Sequence, residues 1–360
     1  MSTINRDALL KLASLVRPAL SSQNFIPAYQ HIKFEQKMAT AYNDITAIIV
    51  KAPFDLQGCL PGELLIKAVS SFNAESVVIQ EGQIAGTLLL TSGRSKLKLP
   101  TLPVADFPFT LPRAKDAPVV ELNDDIIRGI RRCLFSVGSD PTNPAQMGVT
   151  LESEDGIAVL YSTDNSTISR YQTKTKIKLP ADAPLILPTF FCDQLLTLAK
   201  AFPEDDIDLE IHAGALLVTF GKNAKLLTKT VVDMQPIDFH RIIKTYLLVD
   251  EVKKQLQPIP DGFDAAWERA LLVLSAELDK ATLVDPAGTA IGLHSKSAMG
   301  EASDQLMCAD LGTKIKEFHV NPSMVLRAAK CTEAFALYPR TMVMGDKDGA
   351  FIHLISHCVA

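Results

Sequence analysis

The chain has 360 residues, of which 47% are apolar and 21% charged, and carries a net charge of −5. That length exceeds one ordinary core and fits two or three domains of about 100–150 residues, and the composition excludes a disordered or fibrous chain. The acidic balance excludes a protein that coats nucleic acid with its whole surface, because such binding neutralises many phosphates; any DNA contact must use a local basic surface.

Apolar runs such as Ala47–Val50 and Leu271–Leu274 stop far short of the roughly 20 residues that cross a bilayer, so no membrane span is expected. Arg6–Arg17 alternates apolar and charged residues and reads as a helix rather than a signal peptide. The cysteines Cys59, Cys133, Cys192, Cys308, Cys331 and Cys358 are dispersed and never closely paired, which fits a reducing cytoplasm.

In chain order, one pattern appears three times: an amphipathic helix, alternating strands, a helix introduced by proline, then more strands. Leu9, Leu12, Ala13, Val16 and Leu20 recur at helical spacing, and a second helix follows Pro61 with Leu64, Leu65, Ala68 and Phe72. The spacing next predicts a helix over Asp124–Phe135, strands over Met147–Leu151 and Ile157–Ser162, and a helix opening at Pro188. The last third predicts helices over Asp264–Glu277 and Pro322–Phe335, then strands over Thr341–Met344 and Ala350–Ile355. Gly82, Gly156, Gly214 and Gly349 sit between strand-like runs, as hairpins require. The repeated unit is α+β and mostly antiparallel, with boundaries near Pro112–Pro118 and Ile242–Leu248.

Several clusters invite chemistry. On Asp124–Phe135, Ile126, Ile127, Ile130 and Leu134 share one face while Arg128, Arg131 and Arg132 share the other; alone, this is a solvated face. Over Arg94–Leu99, Arg94, Lys96 and Lys98 alternate with Leu97 and Leu99, the pattern of an edge strand protected by charge. In Glu204–Glu210 the acids alternate with Ile207 and Leu209, which favours a half-buried strand over a metal or paired-carboxylate site. His353, His357 and Cys358 have zinc-ligand types but read as part of a terminal strand. The sequence has neither a Walker phosphate loop nor a Gly-x-Ser-x-Gly turn, which argues against ATP or serine hydrolysis.

Ser92–Pro108, reading SGRSKLKLPTLPVADFP, resembles the end of the first domain of bacterial beta sliding clamps. Thr163-Asp164, Gly148 upstream, Asp238-Phe239 downstream, and Asn321 with Met324 resemble positions of that family's middle and last domains. The resemblance implies an α+β DNA clamp fold: three tandem similar domains (1–115, 116–243 and 244–360), each with two helices packed on antiparallel sheets. It further implies a head-to-tail dimeric ring with helices lining the bore.

The resemblance also implies a function, a non-catalytic processivity factor that encircles double-stranded DNA without sequence specificity. The implied partners are a replicative DNA polymerase, an ATP-driven clamp loader and a second copy of the chain, in the cytoplasm (the host's, if phage-encoded), with no cofactor. DNA-facing cations would be Arg6, Lys11, Arg17, Lys67, Arg128, Arg131, Arg132, Lys200, Arg327 and Lys330; spread thinly, they attract phosphate without fixing a register. At the ring joint, Leu97 and Leu99 would meet Val273 and Leu274, with Arg94 and Lys96 facing Glu301 and Asp304. The family's partner-peptide pocket maps onto Gln146, Thr163, Asn165, Ser166, Thr167, Ile168, Ile237, Arg241, Ile242 and Met324, with the tail Ser356–Ala360, Cys358 and Val359 included, nearby.

Here the chain departs from the pattern of that family. Bacterial clamps usually follow Thr-Asp with Gly-His-Arg-Leu, whereas this chain has Asn165-Ser166-Thr167-Ile168, and a Met-Pro-rich tail is replaced by His357-Cys358-Val359-Ala360. The peptide preference is expected to differ accordingly. Two other readings are a clamp-fold interaction protein that does not encircle DNA, and a metal-dependent hydrolase built on the C-terminal His/Cys cluster.

Overall fold

A computed structural model describes residues 2–23, 25–112, 116–180, 183–230, 235–246, 252, 254–274, 282–311 and 316–358. Its described helices are α1 (Arg6–Val16), α2 (Gly62–Ser71), α3 (Asp124–Cys133), α4 (Thr189–Ala201), α5 (Phe239–Tyr246), α6 (Phe263–Leu274) and α7 (Pro322–Ala329). The order strand, helix, four strands, helix, three strands occurs three times among the described residues, with α5 outside the repeat. Chain contacts divide the molecule into two units, Met1–Asn123 with Phe190–Asp233 and Asp124–Thr189 with Met234–Ala360.

In the first unit, the Asn5 side chain caps α1 by accepting from the Ala8 N–H at 2.9 Å, satisfying one of the donors that a helix start leaves free. The α1 face of Leu9, Leu12, Ala13 and Val16 is buried, and α1 packs beside α2, whose Leu65, Ala68 and Val69 are also buried. An eight-stranded antiparallel sheet runs Gly58–Pro61, His31–Glu35, Met38–Tyr42, Thr46–Lys51, Ala224–Lys229, Ala215–Phe220, Ile207–His212, Val119–Glu121. Its seam pairs Thr46–Lys51 with Ala224–Lys229, from Thr46↔Thr228 to Val50↔Ala224. Five of the six residues of Thr46–Lys51 are buried, so this central strand is continuously apolar rather than alternating. A separate sheet orders Ser2–Asn5, Ser76–Glu81, Thr87–Ser92 and Ser95–Pro100, leaving Ser95–Pro100 as an edge.

The second unit repeats this plan. Its eight-stranded sheet runs Leu185–Pro188, Gly148–Glu154, Ile157–Thr163, Thr167–Lys176, Phe351–Ser356, Thr341–Gly345, Ala334–Tyr338, Gln257–Pro258. The seam runs from Thr167↔Ile355 to Tyr171↔Phe351. The smaller sheet orders Gly300–Met307, Ala290–Ser297, Thr282–Ala287 and Phe318–Val320, and Gly300–Met307 is its edge. Trp267, Phe263, Phe335 and Val325 lie in the core between α6, α7 and these strands.

Several boundaries differ from the sequence reading. The helix expected over Pro322–Phe335 ends at Ala329; Cys331 N–H and the Thr332 hydroxyl both bond back to the Ala328 carbonyl, and the apolar run Ala334–Tyr338 pairs as a strand. The helix over Asp124–Phe135 stops at Cys133 and tightens into a 3₁₀ turn, Leu134–Ser136. Arg94 lies in the turn with Gly93, whose φ is +59°, rather than on the strand. The domain boundary read near Ile242–Leu248 begins inside α5, which Asp238 caps by accepting from Arg241 N–H at 2.9 Å. Residues 275–277 of the expected Asp264–Glu277 helix and 113–115 of the Pro112–Pro118 boundary lie outside the described residues.

Candidate partner pocket, cationic helices and open edges

The pocket is built on a tight turn. Between strands Ile157–Thr163 and Thr167–Lys176, the Asp164 carboxylate accepts from Ser166 N–H at 3.0 Å, Thr167 N–H at 2.6 Å and the Thr167 hydroxyl at 2.9 Å. Asn165 takes a left-handed φ of +71°, a conformation that asparagine tolerates. This closed turn turns Asn165 and Ser166 outward. The Ser166 carbonyl accepts from Ser356 N–H at 3.0 Å, and the Gln146 amide, 5% exposed, donates to the Asn165 side-chain oxygen.

A cavity of about 190 Å³ lies against this turn, lined by Asn143, Gln146, Thr163, Asn165, Ser166, Ile168, Ile237, Ile242, Thr341, Leu354 and Ser356. No lining residue is ionisable, and the volume suits one large apolar side chain surrounded by hydrogen-bonding groups. Seven of the residues expected from sequence meet here: Gln146, Thr163, Asn165, Ser166, Ile168, Ile237 and Ile242. Thr167 is buried beneath the turn, Arg241 is exposed on α5, and Met324 packs on the Phe263–Trp267 core. Cys358 bridges His319 outside the cavity, and Val359 lies outside the described residues. Ser356 belongs to the tail expected nearby, whereas Asn143, Thr341 and Leu354 were not expected; Leu354 arrives because the seam sets it opposite Ile168.

The expected DNA-facing cations fall on or beside helices, in unequal states. Lys11, Lys67, Arg131, Lys200 and Lys330 are exposed. Arg17, just past α1, forms a two-pronged pair with Glu63 at 2.7 and 3.0 Å, and Arg6 bonds Asp7 and the Phe72 carbonyl. Arg128 lies 3.8 Å from Asp125. Arg132 is tied down: half-buried, it donates to the Cys331 carbonyl, pairs with Asp346 at 3.1 Å and lies over the Phe351 ring. Arg327 sits 4.5 Å over the Phe135 ring and 3.8 Å from Asp164.

At the edges, Lys96 and Arg94 are exposed and Leu97 is half-buried, but Leu99 is fully buried in its own sheet. On the other unit Leu274 is buried, Val273 half-buried and the adjacent Leu272 71% exposed. Asp304 is already paired with Arg269, and Glu301 with Lys296. The exposed apolar surface near this edge is therefore Leu272, Met299 and Met307.

His353 is fully buried, its Nδ1 within 3.1 Å of the Ser136 and 3.0 Å of the Ser169 hydroxyl; burial, helped by nearby Arg327, pushes its pKa down to about 3. His357 stacks on Phe318 with ring centres 3.7 Å apart, and burial lowers its pKa to about 4. Both rings are held neutral. In the acidic run, Ile207 and Leu209 are buried, Asp208 is exposed, and Asp205 accepts from the Asn223 amide. Burial, with Glu154 and Asp238 nearby, pushes Glu152 up to about 7.

No protein-family model matches the chain. Among curated proteins, the beta sliding clamp of Pseudomonas aeruginosa is 22% identical over 67% of this chain and 67% of its own length. That of Salmonella typhimurium is 22% identical over 91% of this chain and 90% of its own length. Among solved structures, a sliding clamp (DNA polymerase III subunit beta) from Bartonella birtlesii bound to griselimycin superposes with a TM-score of 0.85 at 17% identity, covering 100% of this chain and 99% of that one. The DNA polymerase III subunit beta of Pseudomonas aeruginosa gives 0.83 at 18% identity, with 99% of each chain covered.

Proposed function

We propose that this chain is a divergent bacterial-type beta sliding clamp, a non-catalytic ring subunit that encircles duplex DNA and tethers a replicative polymerase. The carrying observation is the likeness in fold over the whole chain, joined by sequence likeness to named clamps over most of it. In this reading the three element repeats are three domains (1–115, 116–243 and 244–360), and two chains close head to tail.

The ring joint would pair the open edge Ser95–Pro100 of one chain with the open edge Gly300–Met307 of the next. An unpaired strand edge is a ready template for such an addition, and the two edges carry lysines on one side and acids on the other. Leu97 and Leu272 supply apolar contact in place of the buried Leu99 and Leu274. Exposed cations on α1, α2, α3, α4 and α7 attract the DNA backbone, and nothing in their distribution reads bases. The ring needs an ATP-driven loader to open it and no cofactor of its own.

The uncharged pocket takes an apolar side chain of a partner peptide, held by Ile168, Ile237, Ile242 and Leu354. Griselimycin, bound in the Bartonella clamp structure, serves as a probe: this reading predicts that the wild-type chain binds it and that Ile168→Asp does not, while both keep the same solution mass. Binding unaffected by Ile168→Asp would move the site elsewhere.

Light scattering tests the assembly. The account predicts twice 39.2 kDa across dilution and a shift toward monomer in Leu97→Asp. A persistent monomer would favour the second reading, a clamp-fold interaction protein that does not encircle DNA. The internal pairing of Asp304 and Glu301 is the observation that keeps that reading open.

A further inference from the structure

Arg327 stands between the two functional surfaces. It projects from α7, one of the cationic helices, with its side chain 49% exposed, and its guanidinium lies over Phe135 and beside Asp164. Asp164 has two oxygens with separate duties. Oδ1 folds the pocket turn through Ser166 and Thr167, while Oδ2 faces Arg327 at 3.8 Å. The same carboxylate thus shapes the pocket and partly neutralises a cation on the DNA-facing side.

We propose that Asp164 competes with DNA phosphate for Arg327, so that DNA occupancy and the pocket turn are linked through this one ion pair. The proposal rests on the sliding-clamp reading. Linkage is reciprocal: a phosphate that draws Arg327 away changes the charge beside Ser166 and Thr167, and an occupant that alters the turn changes the availability of Arg327. The Phe135 ring keeps the guanidinium near α3 in either state, which limits the change to a swing rather than a loss of order.

The test is specific because asparagine can preserve the turn. Asp164→Asn retains an Oδ1 acceptor for Ser166 and Thr167 while removing the charge that attracts Arg327. Affinity for a linear duplex oligonucleotide, followed by fluorescence anisotropy against salt, is expected to rise about two- to fivefold in Asp164→Asn, the span of an exposed ion pair. The salt slope should steepen by up to about one phosphate contact. Arg327→Gln should abolish the gain in the double variant, and Arg327→Lys should restore part of it.

Hydrogen exchange supplies the reciprocal readout: duplex DNA changes protection of the Ser166 and Thr167 amides in the wild type and not in Arg327→Gln. DNA binding by the wild type with no change in Asp164→Asn, in affinity or slope, overturns the inference and leaves the clamp reading standing. Absence of DNA binding in every variant overturns the inference, while retention on end-blocked duplex DNA decides the clamp reading separately.

Discussion

Glu152 and His353 titrate in opposite senses, and each gives a signed pH dependence. Glu152 is raised from 4.5 to about 7, so its contribution is fully present below about pH 4.5 and is lost as pH rises through 7. Glu152→Gln should therefore raise the melting temperature at pH 8 and change it little at pH 5; equal melting of variant and wild type at pH 8 would contradict this. His353 is lowered from 6.5 to about 3, so its contribution is present above 6.5 and falls away below it, by at most about 1.4 kcal/mol per pH unit. In His353→Phe the Ser136 and Ser169 hydroxyls, 2.7 Å apart, still have each other. Urea unfolding of that variant should lose stability less steeply than the wild type between pH 6.5 and 4.5.

Around the pocket, Thr163, Asn165, Ser166 and Ile168 were legible only through the family resemblance that Thr163-Asp164 carries. Leu354 was not, because a strand's alternation shows which way its side chains face and never which distant strand it will pair with. Leu99 and Leu274, which the resemblance assigned to the ring joint, are buried within their own chain, and Arg132, which helical spacing put on the cationic face of α3, is half-buried over Phe351.

At the scale of elements, apolar spacing placed α1, α2, α3, α4 and α6, because each buries one continuous face. The overlong prediction at Pro322–Phe335 failed where a helical period ran into a short apolar strand, a distinction that periodicity alone does not make. α5 carried a readable signal, Asp238 as cap and Phe239 with Ile243 four residues apart, both buried, but it is short and sits where a domain boundary was expected. Two glycines reveal how closely elements approach. A Cβ on Gly129 of α3 would lie 2.6 Å from Leu160 and 2.7 Å from Tyr171, and one on Gly148 would lie 2.5 Å from the Leu187 carbonyl oxygen. Gly129→Ala should destabilise by about 1–3 kcal/mol through overpacking. Gly148→Ala should cost at least as much, because backbone yields less readily than side chains; chemical denaturation that ranks Gly148→Ala as harmless would contradict the pairing of Gly148 with Pro188.

For the whole molecule, the threefold order of helices and strands was visible in the sequence, whereas the two seams that join repeats into eight-stranded sheets were not. Edge pairing between copies belongs to this scale too. Charge reversal by Lys96→Glu with Lys98→Glu should weaken the dimer by less than about tenfold, since exposed pairs contribute little and Asp304 and Glu301 already have partners; Leu97→Asp should weaken it more. Sedimentation at falling concentration orders the two.

Encirclement is the central claim, and retention on DNA with blocked ends tests it most directly. The chain is threaded onto linear duplex DNA, the ends are then capped with bulky protein, and the complex is challenged with salt high enough to screen its exposed cations. The account predicts retention that persists until a nuclease cuts the duplex, followed by release. Loss at high salt with the ends still blocked would contradict it, because a ring held by topology does not depend on charge.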